Sequence, residues 1–268
     1  MSVLLIIVVY NKSIKEIKYL NKIKSADILL YDNSRNSQVC PSSYYYYHNN
    51  NNDGVSSAYN YGIELAKKLN KEFLILLDQD TTFNENILKT YIKYANKFGN
   101  GKIYAPIVKN KEMIYSPFIE SKVKNYPQNL DTFSYSKVYS LEGKSLINSG
   151  LMIPLNIIAD IGNFNEKIKL DFSDIYYIEK YKKKYNEVIL IDTYLEHKLS
   201  GDEGKNKHKE LKRYKFYCNG AKELKKTTKD ISRVDRLVFF RMLRLVIKYN
   251  TLTPLFIFKR YYLGGMKV

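Results

Sequence analysis

The chain has 268 residues, 45% of them hydrophobic, which suits one large globular α/β domain with an appendage. Its net charge of +17 is lopsided: residues 205–268 hold 18 Lys/Arg against 4 Asp/Glu, and residues 1–204 hold 26 against 23. No apolar run reaches transmembrane length, and Cys40 and Cys218 lack metal-ligand spacing, which excludes a spanning segment and a cysteine-based metal centre. Two free thiols suit a reducing cytoplasm and read as packing residues. There are 26 Tyr and no Trp, so runs such as Tyr44–Tyr47 and Asn49–Asn52 are weighed first as compositional bias.

In chain order, Val3–Val9 reads as a buried strand rather than a leader, having no basic residue before it and no small-residue cleavage site after it. Ser13 with Glu16 three residues later has the form of a capping box and predicts a helix through about Ile23. Asp27–Tyr31 is a second strand, Tyr44–Tyr47 an edge strand, and Ser56 to about Leu69 a helix that follows Asn52-Asp53-Gly54. Alternating strands and helices joined by short loops predict a doubly wound, mostly parallel sheet with helices on both faces. Asn11, Asp32, Asp53 and the pair Asp78/Asp80 all fall at strand ends and would line one crevice, where Asp32 suits the N–H of a nucleotide base. Each is also an ordinary turn former.

The stretch Phe73–Leu77 followed by Asp78-Gln79-Asp80 organises the rest. Five consecutive apolar residues mark a strand buried on both faces, and two carboxylates at its carboxyl end sit where open α/β sheets bind ligands. Such hard oxygen ligands suit Mg²⁺ or Mn²⁺ shared with substrate phosphates. The competing reading gives Asp80 to the cap of a helix starting near Asn84.

Four stretches together resemble the successive motifs of glycosyltransferase family 2: Val8-Val9-Tyr10-Asn11, Tyr31-Asp32-Asn33-Ser34, Asn52-Asp53-Gly54 through Tyr59-Asn60-Tyr61, and Leu77-Asp78-Gln79-Asp80-Thr81. The resemblance implies a GT-A fold and a nucleotide-diphosphate sugar donor bound by Val9, Tyr10, Asn11, Asp32, Asn33, Asp53, Asn60, Asp78 and Gln79, with inversion at the anomeric carbon. Asn148-Ser149-Gly150-Leu151 resembles the family's Ser-Gly strand, which places Ser149 and Gly150 beside the acceptor. Leu170-Asp171-Phe172-Ser173-Asp174 resembles the segment that supplies the catalytic base, with Asp174 at the base position and Asp171 on the acceptor side. Leu195-Glu196-His197 resembles the His motif near diphosphate and metal, adding His197 to Asp78 and Asp80 as metal ligands. Asn165, Tyr176 and Lys180 stand where the family pattern has Asp, an acidic residue and Arg. The resemblance covers about residues 3–220. It leaves 102–140 as an acceptor-side insertion, while the charge asymmetry marks a boundary near Gly201–Lys205 that divides a catalytic unit, 1–204, from a basic helical extension, 205–268.

An inverting transfer needs one carboxylate to take the acceptor's proton and a cation to offset charge on the departing diphosphate. By themselves, Asp174 is also a natural helix N-cap and His197 a packing histidine. The Leu-Asp-Gln-Asp-Thr form resembles the bacterial rhamnosyltransferase branch. It implies transfer of L-rhamnose from dTDP-rhamnose to a cell-surface or capsular polysaccharide or its lipid-linked precursor. UDP-galactofuranose, UDP-galactose or UDP-glucose is the alternative donor, and a non-catalytic nucleotide- or partner-binding role the further one. A nucleotidyltransferase would want a Gly-rich phosphate loop, which Val9-Tyr10-Asn11-Lys12 does not supply. In the tail, Arg233, Arg236, Arg241, Arg244 and Lys248 share one helical face, with Ile231, Val234, Val238, Met242 and Leu245 opposite. Residues 231–262 therefore read either as lying on an anionic membrane, peripheral to its cytoplasmic face, or as docked on the catalytic unit. No nucleic-acid motif accompanies the charge.

Overall fold

The computed structural model describes residues 1–121, 125–196 and 206–264. Four parallel strands form one half of the sheet: β1 (Val3–Val9), β2 (Asp27–Asp32), β3 (Tyr45–His48) and β4 (Phe73–Asp78). They run in the order β3-β2-β1-β4, so the winding direction reverses between β1 and β4. The register sets Val9 beside Asp32 and Val8 beside Asp78, so three strand ends open at one level. Ligand crevices of α/β sheets lie at such reversals.

β1 alternates between two cores. Leu4, Ile6 and Val8 face a layer with α1 (Val55–Lys68), and Val3, Leu5, Ile7 and Val9 face one with α2 (Glu85–Phe98). A strand buried on both faces must be apolar at every position, which is why it reads as an unbroken run. Both helices follow the expected bounds. The cap of α2 is Asn84, whose side chain accepts the Ile87 N–H at 3.0 Å, which leaves Asp80 out of that role.

Two expectations require correction. Residues 13–23 form two short 3₁₀ turns, Ile14–Glu16 and Leu20–Lys22, and the Ser13 side chain makes no capping bond. The buried residues Ile14, Ile17, Leu20 and Ile23 recur every three positions, the 3₁₀ period rather than the α-helical one. Nor is 102–140 a mere insertion. β5 (Tyr104–Asn110) lies in the main sheet between β10 (Met152–Pro154) and β11 (Glu187–Glu196). β6 (Met113–Glu120), β7 (Asn125–Asn129) and β9 (Lys144–Ser145) pair beside it, and β8 (Val138–Ser140) closes the far edge against β11.

The second half of the chain adds α3 (Leu155–Ile161) and α4 (Ser173–Lys182), then α5 (Lys207–Leu224), α6 (Ile231–Tyr249) and α7 (Thr253–Ile257), with a π-helical turn over Phe258–Leu263. A third core joins Phe118, Ile168, Phe172 and Ile175 to Tyr214, Cys218, Val234, Val238, Met242 and Leu245. Apart from Ile231, which is exposed, the apolar side of α6 that could have met lipid is thus buried in this core. Much of the basic face is engaged within the protein too. Arg233 is buried and bonds Glu120, Ser121 O and Asn125, Arg241 reaches Asp171, and Lys248 pairs with Glu210. Among the described residues no helix is long and apolar enough to cross a membrane.

Candidate active site

Backbone geometry shapes the ends of β1 and β2, where the sequence motifs lead one to expect the nucleotide. Asn33 N–H donates to Val9 O at 2.8 Å, and Asn49 N–H to Asp32 O at 2.8 Å, so the sheet ladder extends past the strand ends. Asn11 turns the chain at φ 50°, a left-handed conformation that asparagine tolerates, and its N–H donates to Ser34 Oγ at 2.8 Å. Tyr10 and Gln79 form a reciprocal pair. The Tyr10 N–H donates to Gln79 Oε1 at 2.8 Å, and Gln79 Nε2 donates back to Tyr10 O at 3.2 Å. Lys12 Nζ adds a bond to Gln79 O at 3.1 Å. Gln79 therefore sets the spacing of the β1 and β4 loops, while the ring of Tyr10 stays exposed.

Asp32 is wholly buried. Its carboxylate accepts from Ser34 N–H at 2.9 Å, Gln38 Nε2 at 3.0 Å and Tyr46 hydroxyl at 3.0 Å. It braces the loop, and contact with a base would require Gln38 to let go. Asn33 donates to Gly54 O at 3.3 Å and keeps a buried, unpartnered Oδ1. Asp53 accepts from Asn49 at 2.9 Å and faces Lys169 at 3.7 Å. Gly54 stands at φ 97°, and a Cβ there would overlap the backbone of Lys169, so only glycine lets α1 start against the acidic loop. The Asn60 amide bonds both N–H and O of Phe164 and also Glu166, which makes it a brace for that turn.

The β4 end carries Asp78 and Asp80, both partly exposed. Burial raises the Tyr19 phenol well above its ordinary range, and the charges of Asp78 and then Asp80 add to the rise, so both carboxylates converge near one ring. Thr81 N–H closes the turn on Asp78 O at 3.1 Å, and Thr82 N–H donates to Glu196 O at 3.1 Å. β11 thus delivers the chain beside the Asp-Gln-Asp turn; His197, the next residue, lies outside the described residues. Among the described residues no group of three or more His, Cys, Asp or Glu converges. Two carboxylates fit a Mg²⁺ or Mn²⁺ that takes its other oxygens from phosphates and water. Ser149 is buried with its hydroxyl 2.6 Å from that of Thr81, and Gly150 N–H donates to Leu76 O at 2.7 Å, which holds the Ser-Gly segment against β4.

On the other wall, α4 begins after Phe172, which takes φ 74°. Asp174 is accordingly in the first turn and not the cap. Burial lifts its carboxyl to about 6; the Asp171 and Asp78 charges add to the rise, and the Ile175 and Asp174 N–H groups oppose it. Tyr59, fully buried, has its phenol raised well above the usual range by burial and then by the Asp78 and Asp174 charges together. One ring lies within electrostatic reach of both carboxylates, so the end of β4 and the first turn of α4 lie near one another.

Sequence reasoning missed the residues that hold this wall. Ser56 Oγ donates to Ile168 O at 2.7 Å, so the 2.9 Å contact between Ser173 and Ser56 runs from Ser173 to Ser56. Asn148 Nδ2 reaches Ser173 Oγ at 3.5 Å, and its buried Oδ1 is unpartnered. Arg213 of α5 grips Asp171 with Nε at 3.2 Å from both oxygens and Nη2 at 3.0 Å from Oδ1. Arg241 of α6 stands 3.6 Å from the same carboxylate and stacks on Tyr217 at 4.0 Å. Gly220 lets α5 lie on this loop, since a Cβ there would overlap Asp171 O. In the sequence both arginines are hidden in a run of cations; their pairing depends on helices folding back.

Residues 28–153 match the family model described as Glycosyl transferase family 2. No curated protein matches the chain by sequence. Among solved structures, S. aureus TarS is similar at TM-score 0.52 and 14% identity, over 93% of this chain and 44% of TarS. This chain therefore spans less than half the length of that protein. GalNAc-T7, solved with UDP, GalNAc and Mn²⁺, is similar at TM-score 0.59 and 13% identity, over 97% of this chain and 58% of its own. The mannosyltransferase PcManGT of Pyrobaculum calidifontis, solved with GDP-Man and Mn²⁺, gives 0.55 and 10%, over 98% and 76%. At such identities the structures speak for the fold, which is of the GT-A kind, and the family match speaks for similarity of residues 28–153, just under half of the chain, to glycosyltransferase family 2.

Proposed function

We propose that the chain is an inverting glycosyltransferase that moves a sugar from a nucleotide-diphosphate donor to an acceptor hydroxyl. The observation that carries this reading is the nearness of the end of β4, with Asp78 and Asp80, to the first turn of α4, where Asp174 sits at about 6. The Asp174 carboxylate takes the acceptor's hydroxyl proton as the acceptor oxygen bonds to C1 of the sugar. The bond from C1 to the phosphate oxygen breaks, and its electron pair leaves with the nucleoside diphosphate. Asp78 and Asp80, with His197, would hold a Mg²⁺ or Mn²⁺ that offsets charge on the leaving diphosphate. The loops at Val9–Asn11, Asp32–Asn33 and Asp53 shape the nucleotide pocket. Ser149, Gly150 and Asp171 border the acceptor, and Arg213 pairs with Asp171 and offsets its charge beside Asp174.

The favoured donor is dTDP-rhamnose, on the Leu-Asp-Gln-Asp-Thr form of the turn, and the acceptor a cell-surface polysaccharide or its lipid-linked precursor on the cytoplasmic side. A UDP-sugar is the second reading, supported by structural neighbours solved with UDP-linked ligands. The deciding experiment incubates the protein with a panel of dTDP-, UDP- and GDP-sugars and Mn²⁺ or Mg²⁺, scoring thermal shift and slow donor hydrolysis. One donor should give both a shift and metal-dependent hydrolysis. Binding without hydrolysis or transfer would instead support a non-catalytic nucleotide-binding role.

A further inference from the structure

With Val234, Val238, Met242 and Leu245 committed to the core, α6 still has a second apolar stripe. Phe239, Phe240, Leu243 and Ile247 point outward, Ile247 with 81% of its surface exposed. Residues 240, 243 and 247 are spaced three and four apart, so they lie in line along one helix face. Phe239 meets Phe258 at 6.3 Å, which continues the stripe into the Phe258–Leu263 turn, where Lys259 and Arg260 are exposed. Arg244 is exposed beside the stripe. Between Ile231 and Leu263 the sole acidic residue is Asp235, and it is engaged by Lys225 and the Tyr262 hydroxyl. The outward face is therefore apolar in its middle, basic at its margins and without acidic charge.

We infer that this face of α6 and the turn after α7 lies on an anionic phospholipid surface, with Phe240, Leu243 and Ile247 among the acyl chains and Arg244, Lys259 and Arg260 at the headgroups. Two features choose lipid over a protein occupant. The stripe is a convex ridge on one helix, which suits a fluid boundary that closes around it. A second copy would bring two segments together, each carrying 18 cations against 4 anions, at a cost in repulsion that anionic lipid turns into attraction. The inference does not depend on glycosyl transfer, because its evidence is the surface alone. It also reverses which side of α6 meets the membrane: the side read from the sequence as lipid-facing is the core.

The test is co-sedimentation of the full chain with phosphatidylcholine vesicles and with vesicles mixing phosphatidylcholine and phosphatidylglycerol, at low and high salt. The parent should bind the mixed vesicles and release as salt rises. Replacing Phe240, Leu243 and Ile247 together by Ser should lower that affinity roughly tenfold or more at either salt. Phe240 and Leu243 are more than half covered, so Ile247→Ser, at the most exposed position of the stripe, is the companion variant that should weaken binding with the thermal melt unchanged. Replacing Arg244, Lys259 and Arg260 by Gln should lower it at low salt and abolish the salt dependence. A parent that ignores anionic vesicles overturns the inference. So does a Ser variant that binds as well as the parent, or a lipid-free dimer that this variant dissolves, which would give the stripe to a second copy.

Discussion

The wall of the crevice around Asp32 is held by neighbours. Asp32 is braced by Ser34, Gln38 and Tyr46, all within a short reach of sequence. The acidic wall is held from afar: Asp171 is gripped by Arg213 and Arg241, and Ser173 by Ser56. Both walls must position carboxylates, but one does so with loop geometry and the other with helices packed from the C-terminal segment. Local wiring leaves a motif in the sequence, whereas long-range wiring leaves only isolated residues. The two walls should therefore fail differently when disturbed.

The largest effect is expected on the metal side of the nucleotide wall. Asp80→Ala, or chelation by EDTA, should lower transfer by roughly 10³-fold while the protein melts as before, since a ligand to a charge-offsetting cation is lost. Full activity with chelator present would remove the metal from the reading.

Next is the base. Asp174→Asn should lower kcat by roughly 10²-fold or more with donor affinity nearly unchanged. Its effect on stability should have the opposite sign. The Asp174 carboxyl sits at about 6 in the fold, above its ordinary range, so the fold disfavours its ionised form. Below the unfolded value both states hold the proton and the substitution changes little; as pH rises through about 6 the parent loses stability that the Asn variant keeps. A higher melting temperature for the variant at pH 8, and equal ones in acid, would show that Asp174 is held against its preference. In the parent, transfer should fall as pH drops through about 6.

A smaller effect separates the walls. Arg213→Gln removes the main partner of Asp171, leaving Arg241 at 3.6 Å. The uncompensated charge of Asp171 then opposes ionisation of Asp174, so the acid limb of the pH–rate profile should move up by about one unit. Because Arg213 is partly exposed, the cost in stability should be about 1–2 kcal/mol. Donor hydrolysis at high pH should be spared. An unmoved acid limb would mean that the C-terminal helices support the fold without tuning the base. The mildest change is Gln79→Ala, which deletes the reciprocal bonds to Tyr10. We expect about 1 kcal/mol of stability and a several-fold rise in donor KM, with the pH profile untouched.

The contrast also explains what could be read in advance. β1, β2, β4, α1 and α2 were legible because each announces itself within a dozen residues, as a run buried on both faces or a stripe of helical period. Asp78, Asp80 and Asp174 stand out in the sequence only through their place in an ordered set of motifs. The 3₁₀ turns at 14–22 were not, since a capping-box pattern competed with the three-residue spacing of Ile14, Ile17, Leu20 and Ile23. The place of β5 within the sheet is fixed by pairing with β11, some eighty residues on, which no local pattern encodes. The roles of Ser56 and Arg213 likewise depend on partners more than forty residues away. Asp32 and Asn60 show the reverse, standing out in the sequence as polar motif residues yet with side chains engaged by neighbouring loops.

The grip on Asp171 also has a consequence for the order in which the protein is made. A ribosome working along the chain releases the β1 and β2 loops early, and Asp32 finds Ser34, Gln38 and Tyr46 within the chain already synthesised, whereas the β4 turn waits for Ser149 and Glu196. Asp171 and Asp174 follow, two like charges close together, and neither guanidinium yet exists. Arg213 must be translated and α5 seated through Gly220 before the first arrives, and Arg241 later still. The nascent protein thus passes through an interval in which the Asp171 loop still lacks its arginines, and the carboxylate pair takes its final electrostatic setting only after the C-terminal helices have packed.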